Sequence, residues 1–209
     1  MKLHGTYMPG SAQLPADLLN RFSADTPLVC LMRHGQILET GVKRFIGRTD
    51  LPLNAHGQAQ AKSWQTVFHH IQFKRIYVSG LLRTRQTAAL CCPGQPVTTD
   101  ARLNEIDLGD WENLSFDQVK NRFPDAFAQR GRDIYHFRTP GGERFKDLKA
   151  RVVPFFESLF SPAAPLPGPV LVIAHSGVIR VMSCLWSGQS FDRLPALKPQ
   201  YGQVFVLGY

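Results

Sequence analysis

An α/β sandwich is the fold class this chain predicts, on three observations. Short apolar runs read as buried strands, segments with apolar residues at helical spacing separate them, and the two kinds of segment alternate. The 209 residues suit one domain, and the 44% that are hydrophobic suffice for a sizeable core. Neither an internal repeat nor an interdomain linker divides the chain.

The elements follow in order. Residues 1–27, with their Gly, Pro and Ser content, read as an extension that is poorly ordered or wraps the domain. Leu28–Met32 is the first buried strand. Arg33–Leu53 has glycines at 35, 41 and 47 and little periodicity, and reads as a long functional loop. Asn54 caps a helix reaching Ile71, with Ala59, Trp64, Val67 and Phe68 facing inward. Arg75–Val78 is a second strand, and Ser79 is the expected N-cap of a helix to Leu90. Pro93 and Pro96 end that helix, and Pro96–Thr99 forms a short strand.

Arg102–Asn113 is an acidic loop. Ser115 and Gln118 have capping-box spacing and open a helix toward Phe123, and Pro124 starts another. After a break at Thr139–Gly142, Glu143–Phe160 is helical, with Phe145, Leu148, Val152, Phe155, Phe156 and Leu159 near helical spacing and a bend expected at Pro154. Ser161–Pro169 is a Pro-rich loop. Val170–Ala174 is the strongest strand signal, Ser176–Trp186 reads as a helix, and Val204–Leu207 as the last strand.

The formal net charge of +8 favours anionic partners. Its basic residues are scattered, without the runs or the basic-aromatic stripe of a nucleic-acid-binding module, so small phosphorylated anions are the expected partners. Four cysteines, with no C-x-x-C pair and no zinc spacing, read as buried reduced thiols of a cytoplasmic protein. No stretch has the length of a membrane span, and residues 1–26 lack the apolar core of a signal peptide.

Three apolar strands end directly on polar or charged residues. Leu28–Met32 precedes Arg33, His34 and Gly35; Ile76–Val78 precedes Ser79 and Arg83; Val170–Ala174 precedes His175, Ser176 and Gly177. In an open α/β sheet, ligands collect beyond the carboxyl ends of the strands, so parallel neighbouring strands would gather Arg33, His34, Arg83 and His175 there. Two guanidiniums supply charged, planar donors to phosphate oxygens. Free N–H groups where Ser176 opens a helix attract anions, and glycines at 35 and 177 permit close backbone approach. A neutral imidazole is a competent nucleophile toward phosphorus, and a second one, if protonated, stabilises charge. Glu105 is a candidate proton donor to the leaving alkoxide, with Asp107, Asp110 and Glu112 as competitors. A lone histidine after a strand is more often structural, and His4, His56, His69, His70 and His136 take that reading.

The ordered motifs add a resemblance. Arg33-His34-Gly35 after an apolar strand is similar to the signature of the histidine phosphatase superfamily, also called phosphoglycerate-mutase-like. Gly47-Arg-Thr-Asp50-Leu-Pro-Leu53 with Gly57 and Gln60, Ser79-Gly-Leu81-Leu-Arg83-Thr-Arg-Gln86-Thr87, and Leu103-Asn-Glu105 followed by Gly109-Asp-Trp111-Glu112 resemble further family segments. Pro140-Gly-Gly-Glu143 and Ala174-His175-Ser-Gly177-Val-Ile-Arg180 complete a set spanning about Leu28 to Leu207. The resemblance implies a single-domain three-layer sandwich with a central mixed, mostly parallel sheet over residues 28–209. His34 would be phosphorylated. Arg33, Arg83, His175 and Ser176 would bind phosphate, Glu105 would donate the proton, and Thr40, Gly47 and Arg48 would meet the rest of the substrate. No metal and no organic cofactor is implied. Thr40 replaces a frequent asparagine, Gln36 a frequent glutamate, and Arg144 a common serine.

Only a modest segment lies between Glu105 and Pro140, without the large insertion of cofactor-dependent mutases, so hydrolysis of a phosphate monoester is the expected reaction. The Gly47–Leu53 and Gly109–Leu114 segments look most like the α-ribazole phosphatase branch, which acts in cobalamin assembly. The alternatives are mutase-type phosphoryl transfer and a non-catalytic sensor of a phosphorylated ligand.

Overall fold

The structure, a computed structural model, describes residues 2–10, 28–37, 41–161 and 168–208. Its frame is a six-stranded sheet of β1 (Lys2–Tyr7), β2 (Val29–Arg33), β3 (Arg75–Val78), β4 (Thr98–Thr99), β5 (Val170–Ala174) and β6 (Val204–Gly208), ordered β1-β6-β2-β5-β3-β4. The four strands β2, β5, β3 and β4 run parallel. β6 runs antiparallel to both β2 and β1.

Alternation along the strands separates two cores, because successive side chains leave a sheet on opposite faces. Val29, Leu31, Val170, Val172, Phe205 and Leu207 face one side, where they meet α6 (Phe145–Leu159) and α7 (Ser176–Ser187). Cys30, Met32, Leu171, Ile173, Val204 and Val206 face the other, under α1 (Ala55–Ser63), α2 (Gln65–His69) and α3 (Leu82–Cys91). Helix, sheet and helix layers make the expected sandwich. α4 (Phe116–Arg122) and α5 (Pro124–Arg132) flank the first core around the fully buried Trp111.

Several elements differ from the sequence reading for local physical reasons. The helix expected to run unbroken to Ile71 turns at Trp64, whose indole N–H reaches Gly202 O at 2.7 Å and whose own N–H closes a tighter bond to Ala61 O. α3 starts after Leu81; Ser79 does not cap it, and Leu82 N–H instead donates to Asp50 Oδ1 at 2.6 Å. α6 begins at Phe145, where the Asp147 carboxylate accepts from the Arg144 backbone N–H and from its guanidinium, and it continues through Pro154 to Leu159. Ser115 and Gln118 form the capping box their spacing predicted. Residues 2–7 of the extension form an edge strand of the sheet, paired with β6. All four cysteines are free and buried.

Candidate active site

Parallel pairing decides where the chemistry falls. Arg33 lies opposite Ala174 and Val78 opposite Ile173, so β2, β5 and β3 end side by side. The residues that follow, His34, His175 and Ser79, therefore share one rim. The His34 and His175 ring centroids are 5.1 Å apart.

Hydrogen bonding fixes the state of each imidazole. His34 Nδ1 lies 2.7 Å from Gly35 O. A carbonyl only accepts, so Nδ1 carries the proton and Nε2 keeps its lone pair. Burial, then Arg83 and Arg33, hold His34 well below the ordinary histidine range, so the ring is neutral. Arg83 Nε donates to His175 Nδ1 at 3.2 Å, and His175 Nε2 therefore donates to Ser79 Oγ at 2.7 Å. Burial and then Arg83 also hold His175 well below its usual value. The protonated second imidazole envisaged from the sequence is thus replaced by a neutral ring whose two nitrogens are both engaged.

Arg83 is itself buried, and it donates from NH1 to Thr49 O at 2.8 Å and from NH2 to Gly47 O at 2.7 Å. Those carbonyls are presented by a loop that Glu112 gathers. Its carboxylate accepts from the N–H groups of Gly47, Arg48 and Thr49 and from the Thr49 hydroxyl. Burial opposes ionisation of Glu112, but the Thr49 hydroxyl and those N–H groups outweigh it and hold the group below the usual carboxylate range. Glu112 is a loop clamp here, and Asp107 caps a turn through Gly109 N.

Of the acidic candidates, Glu105 is the one at the rim. Its carboxylate accepts from Gly177 N at 3.1 and 3.0 Å and from Ile106 N at 2.9 Å. It thus sits at the positive end of α7, two residues past His175. A Cβ on residue 177 would collide with Glu105 Oε1, which explains the glycine. Arg151 steadies the same loop, donating to Glu105 O, Arg102 O and both oxygens of Glu143.

Arg33 faces a cleft. NH1 donates to Pro199 O at 2.7 Å, the guanidinium carbon lies 3.7 Å from the centre of the Tyr201 ring, and Nε is buried with no partner. Arg180 Nε is likewise buried and unpartnered. Both guanidiniums line a cavity of about 770 Å³ together with Lys43, Arg44 and Tyr201. Among the described residues no carboxylate lines it. A smaller adjoining cavity of about 210 Å³ joins Glu105, Ser176 and Gly177 to Arg180 and Arg130. Burial, and then Arg180, push Arg130 down to about 10.

The structure thus brings together Arg33, His34, Arg83, Glu105, His175 and Ser176. Gly47 O receives Arg83 NH2, Arg48 N–H donates to Glu112, and Arg48 NH2 lies 3.7 Å from Glu143 with its Nε buried and unpartnered; neither residue lines either cavity. Thr40 lies outside the described residues. Sequence reasoning missed Arg130, Tyr201 and the clamp function of Glu112. Only Glu112 and Arg180 had a signal, as members of quoted motifs. No group of three or more His, Cys, Asp or Glu that could hold a metal ion occurs among the described residues, and no helix among them is long and apolar enough to cross a membrane.

A neutral imidazole with one free ring nitrogen, set amid guanidiniums at the carboxyl ends of parallel strands, is an arrangement suited to phosphate. The profile of the Histidine phosphatase superfamily (branch 1) matches residues 29–209, and the chain belongs to that family. It is 31% identical over 186 residues to the 2,3-bisphosphoglycerate-dependent phosphoglycerate mutase of Methylobacterium radiotolerans, covering 86% of this chain and 88% of that one. Among solved structures it is similar to a mycobacterial glucosyl-3-phosphoglycerate phosphatase, with TM-score 0.69, 31% identity and coverage of 82% and 84%. The α-ribazole phosphatase of Shigella flexneri shares the fold, with TM-score 0.75, 24% identity and coverage of 84% and 87%.

Proposed function

We propose that this protein hydrolyses phosphate monoesters through a phosphohistidine at His34. The observation that carries this reading is the Nδ1 contact of His34 with Gly35 O, which leaves the Nε2 lone pair free in a neutral ring. In the first step that lone pair attacks phosphorus, the ester P–O bond breaks, and the leaving alkoxide takes a proton from Glu105. In the second step Glu105 takes a proton from water, the water oxygen attacks phosphorus, and the P–N bond breaks to release inorganic phosphate. Arg33 and Arg83 counter the charge on the transferring group throughout. His175 does so indirectly, by receiving Arg83 Nε and fixing its plane. Ser176 offers its backbone N–H at the start of α7.

Hydrolysis is preferred to mutase transfer because the segment between Glu105 and Pro140 is short and two cavities adjoin the rim. An α-ribazole 5′-phosphate substrate is supported by likeness of fold and of the Gly47–Leu53 and Gly109–Leu114 segments. A second reading has its own observation. Lys43, Arg44, Arg130 and Arg180 exceed what one phosphoryl group requires, and Arg180 Nε has no partner. They favour an ester whose alcohol part carries a second acidic group, as glucosyl-3-phosphoglycerate does.

Rapid quenching into alkaline detergent during turnover of a ³²P phosphomonoester tests the mechanism, because the P–N bond of phosphohistidine survives base and breaks in acid. Label retained on His34 is expected; full turnover with no label on that residue overturns the reading. A panel of α-ribazole 5′-phosphate, phosphoglycerates and glucosyl-3-phosphoglycerate ranks the substrates. A higher kcat/KM for α-ribazole 5′-phosphate than for every acidic ester removes the second reading.

A further inference from the structure

Arg33 reaches the site from the last residue of β2, and its own strand does not hold its guanidinium. A loop far along the chain does. Pro199 O takes NH1 at 2.7 Å, and the Tyr201 ring lies 3.7 Å beneath the guanidinium carbon and 5.6 Å from the His34 ring. Next along the loop, Gly202 N–H is shared between Arg33 O at 3.1 Å and His34 O at 3.2 Å, and Arg33 N–H donates to Gln203 O at 2.9 Å.

The loop is braced from outside the matched family region. β1 pairs with β6, Tyr7 opposite Val204, directly after the loop. The chain then turns so that Gly10 N–H donates to Ser63 Oγ at 3.1 Å, and Pro9 covers Gly202, where a Cβ would fall 2.6 Å from Pro9 Cγ. Beside Ser63, Trp64 Nε1 holds Gly202 O from the other side at 2.7 Å. Gly202 has φ +69, a conformation that needs glycine and that this bracing preserves.

We propose that Tyr201 is a positioning residue that orients the Arg33 guanidinium toward the phosphoryl group, and that residues 2–10 hold the Tyr201 loop in register. A flat ring under a guanidinium restrains its plane while leaving its N–H edge free to donate. The buried, unpartnered Nε of Arg33 is such an edge. Residues 2–10 are thereby a working part of the site even though the family match begins at residue 29.

The inference rests on Arg33 touching the phosphoryl group, as proposed above. The test measures kcat and KM on an aryl phosphate for the full chain with Tyr201→Leu, Tyr201→Phe, Arg33→Lys, Gly10→Pro and the Tyr201→Leu/Arg33→Lys pair. Tyr201→Leu should lower kcat about tenfold with KM changed less than about threefold, and Tyr201→Phe, which keeps the stack, should restore activity to within about threefold. In the Arg33→Lys background Tyr201→Leu should cost almost nothing more, because the partner it orients is gone. Gly10→Pro removes the N–H and forbids the positive φ, and should lower kcat about threefold. Should Tyr201→Leu fail to fold, Tyr201→Gln takes its place. Unchanged kcat in Tyr201→Leu, or losses that add in the double variant, overturn the positioning role. Unchanged kcat in Gly10→Pro overturns the bracing. Normal activity of Arg33→Lys would instead sink the underlying reading of the site.

Discussion

The floor of the site and the wall of its cleft are built from the same residue types and treat them in opposite ways. On the floor, His175 Nδ1, His175 Nε2, Arg83 Nε, NH1 and NH2 all have protein partners, and the first ring sits beside a His34 whose Nδ1 is also bonded. On the wall, Arg33 Nε and Arg180 Nε are buried with none, and Arg130 is held down to about 10 by burial and by Arg180. A buried donor without an acceptor costs about 1–3 kcal/mol, more when charged. The floor is therefore finished on folding, whereas the wall keeps donors free for the anionic substrate proposed above. Fixed groups suit chemistry, where reorganisation during the reaction is wasteful, and unfinished groups suit recognition.

The largest expected effect is on the floor. His34→Ala should lower kcat by about 10⁴-fold or more, as removal of a nucleophile does elsewhere, with the circular dichroism spectrum unchanged. Near-normal turnover would show that the floor is not where the chemistry happens. Glu105→Gln should slow an alkyl phosphate by about 10²–10⁴-fold and a nitrophenyl phosphate far less, since only the poor leaving group needs the proton. Equal slowing of both esters would count against Glu105 as donor. On the wall, Arg180→Ala should raise KM for a second-anion ester about 10- to 100-fold while leaving an aryl phosphate within about threefold. A uniform change for both esters would erase the distinction between wall and floor.

The smallest effect is on stability. Both imidazoles are held well below 6.5 when folded and titrate near that value when unfolded. The unfolded chain thus binds more protons in that window. The stability from these two groups is complete above about pH 6.5 and declines as pH falls, levelling off only at their depressed folded values. Thermal melts from pH 8 to pH 5 check the sign, and a Tm that rises on acidification would mean the rings are charged in the fold.

The floor was largely legible in the sequence. Its residues follow apolar strands directly, so His34, His175 and Arg83 each carry a local signal, and parallel pairing then brings them together. The wall was not. Arg130 and Tyr201 sit on a short helix and a loop with no periodicity to mark them, and their meaning depends on partners far away in sequence; the Arg33–Pro199 bond spans 166 residues. Ser79 misled because a serine after a strand reads as a cap, while the long-range partner His175 claimed its hydroxyl. The edge strand at Lys2–Tyr7 escaped because its exposed, Gly-containing sequence has no buried face to betray it.

That edge strand has a bearing on how the molecule behaves in a crowded solution. Open sheet borders invite neighbours to zip on through their free amides. Here one border is only two residues long, at Thr98–Thr99, and the other is broken in register between Leu3 and Gly5. Among the described residues neither border offers a long straight template for edge-to-edge pairing.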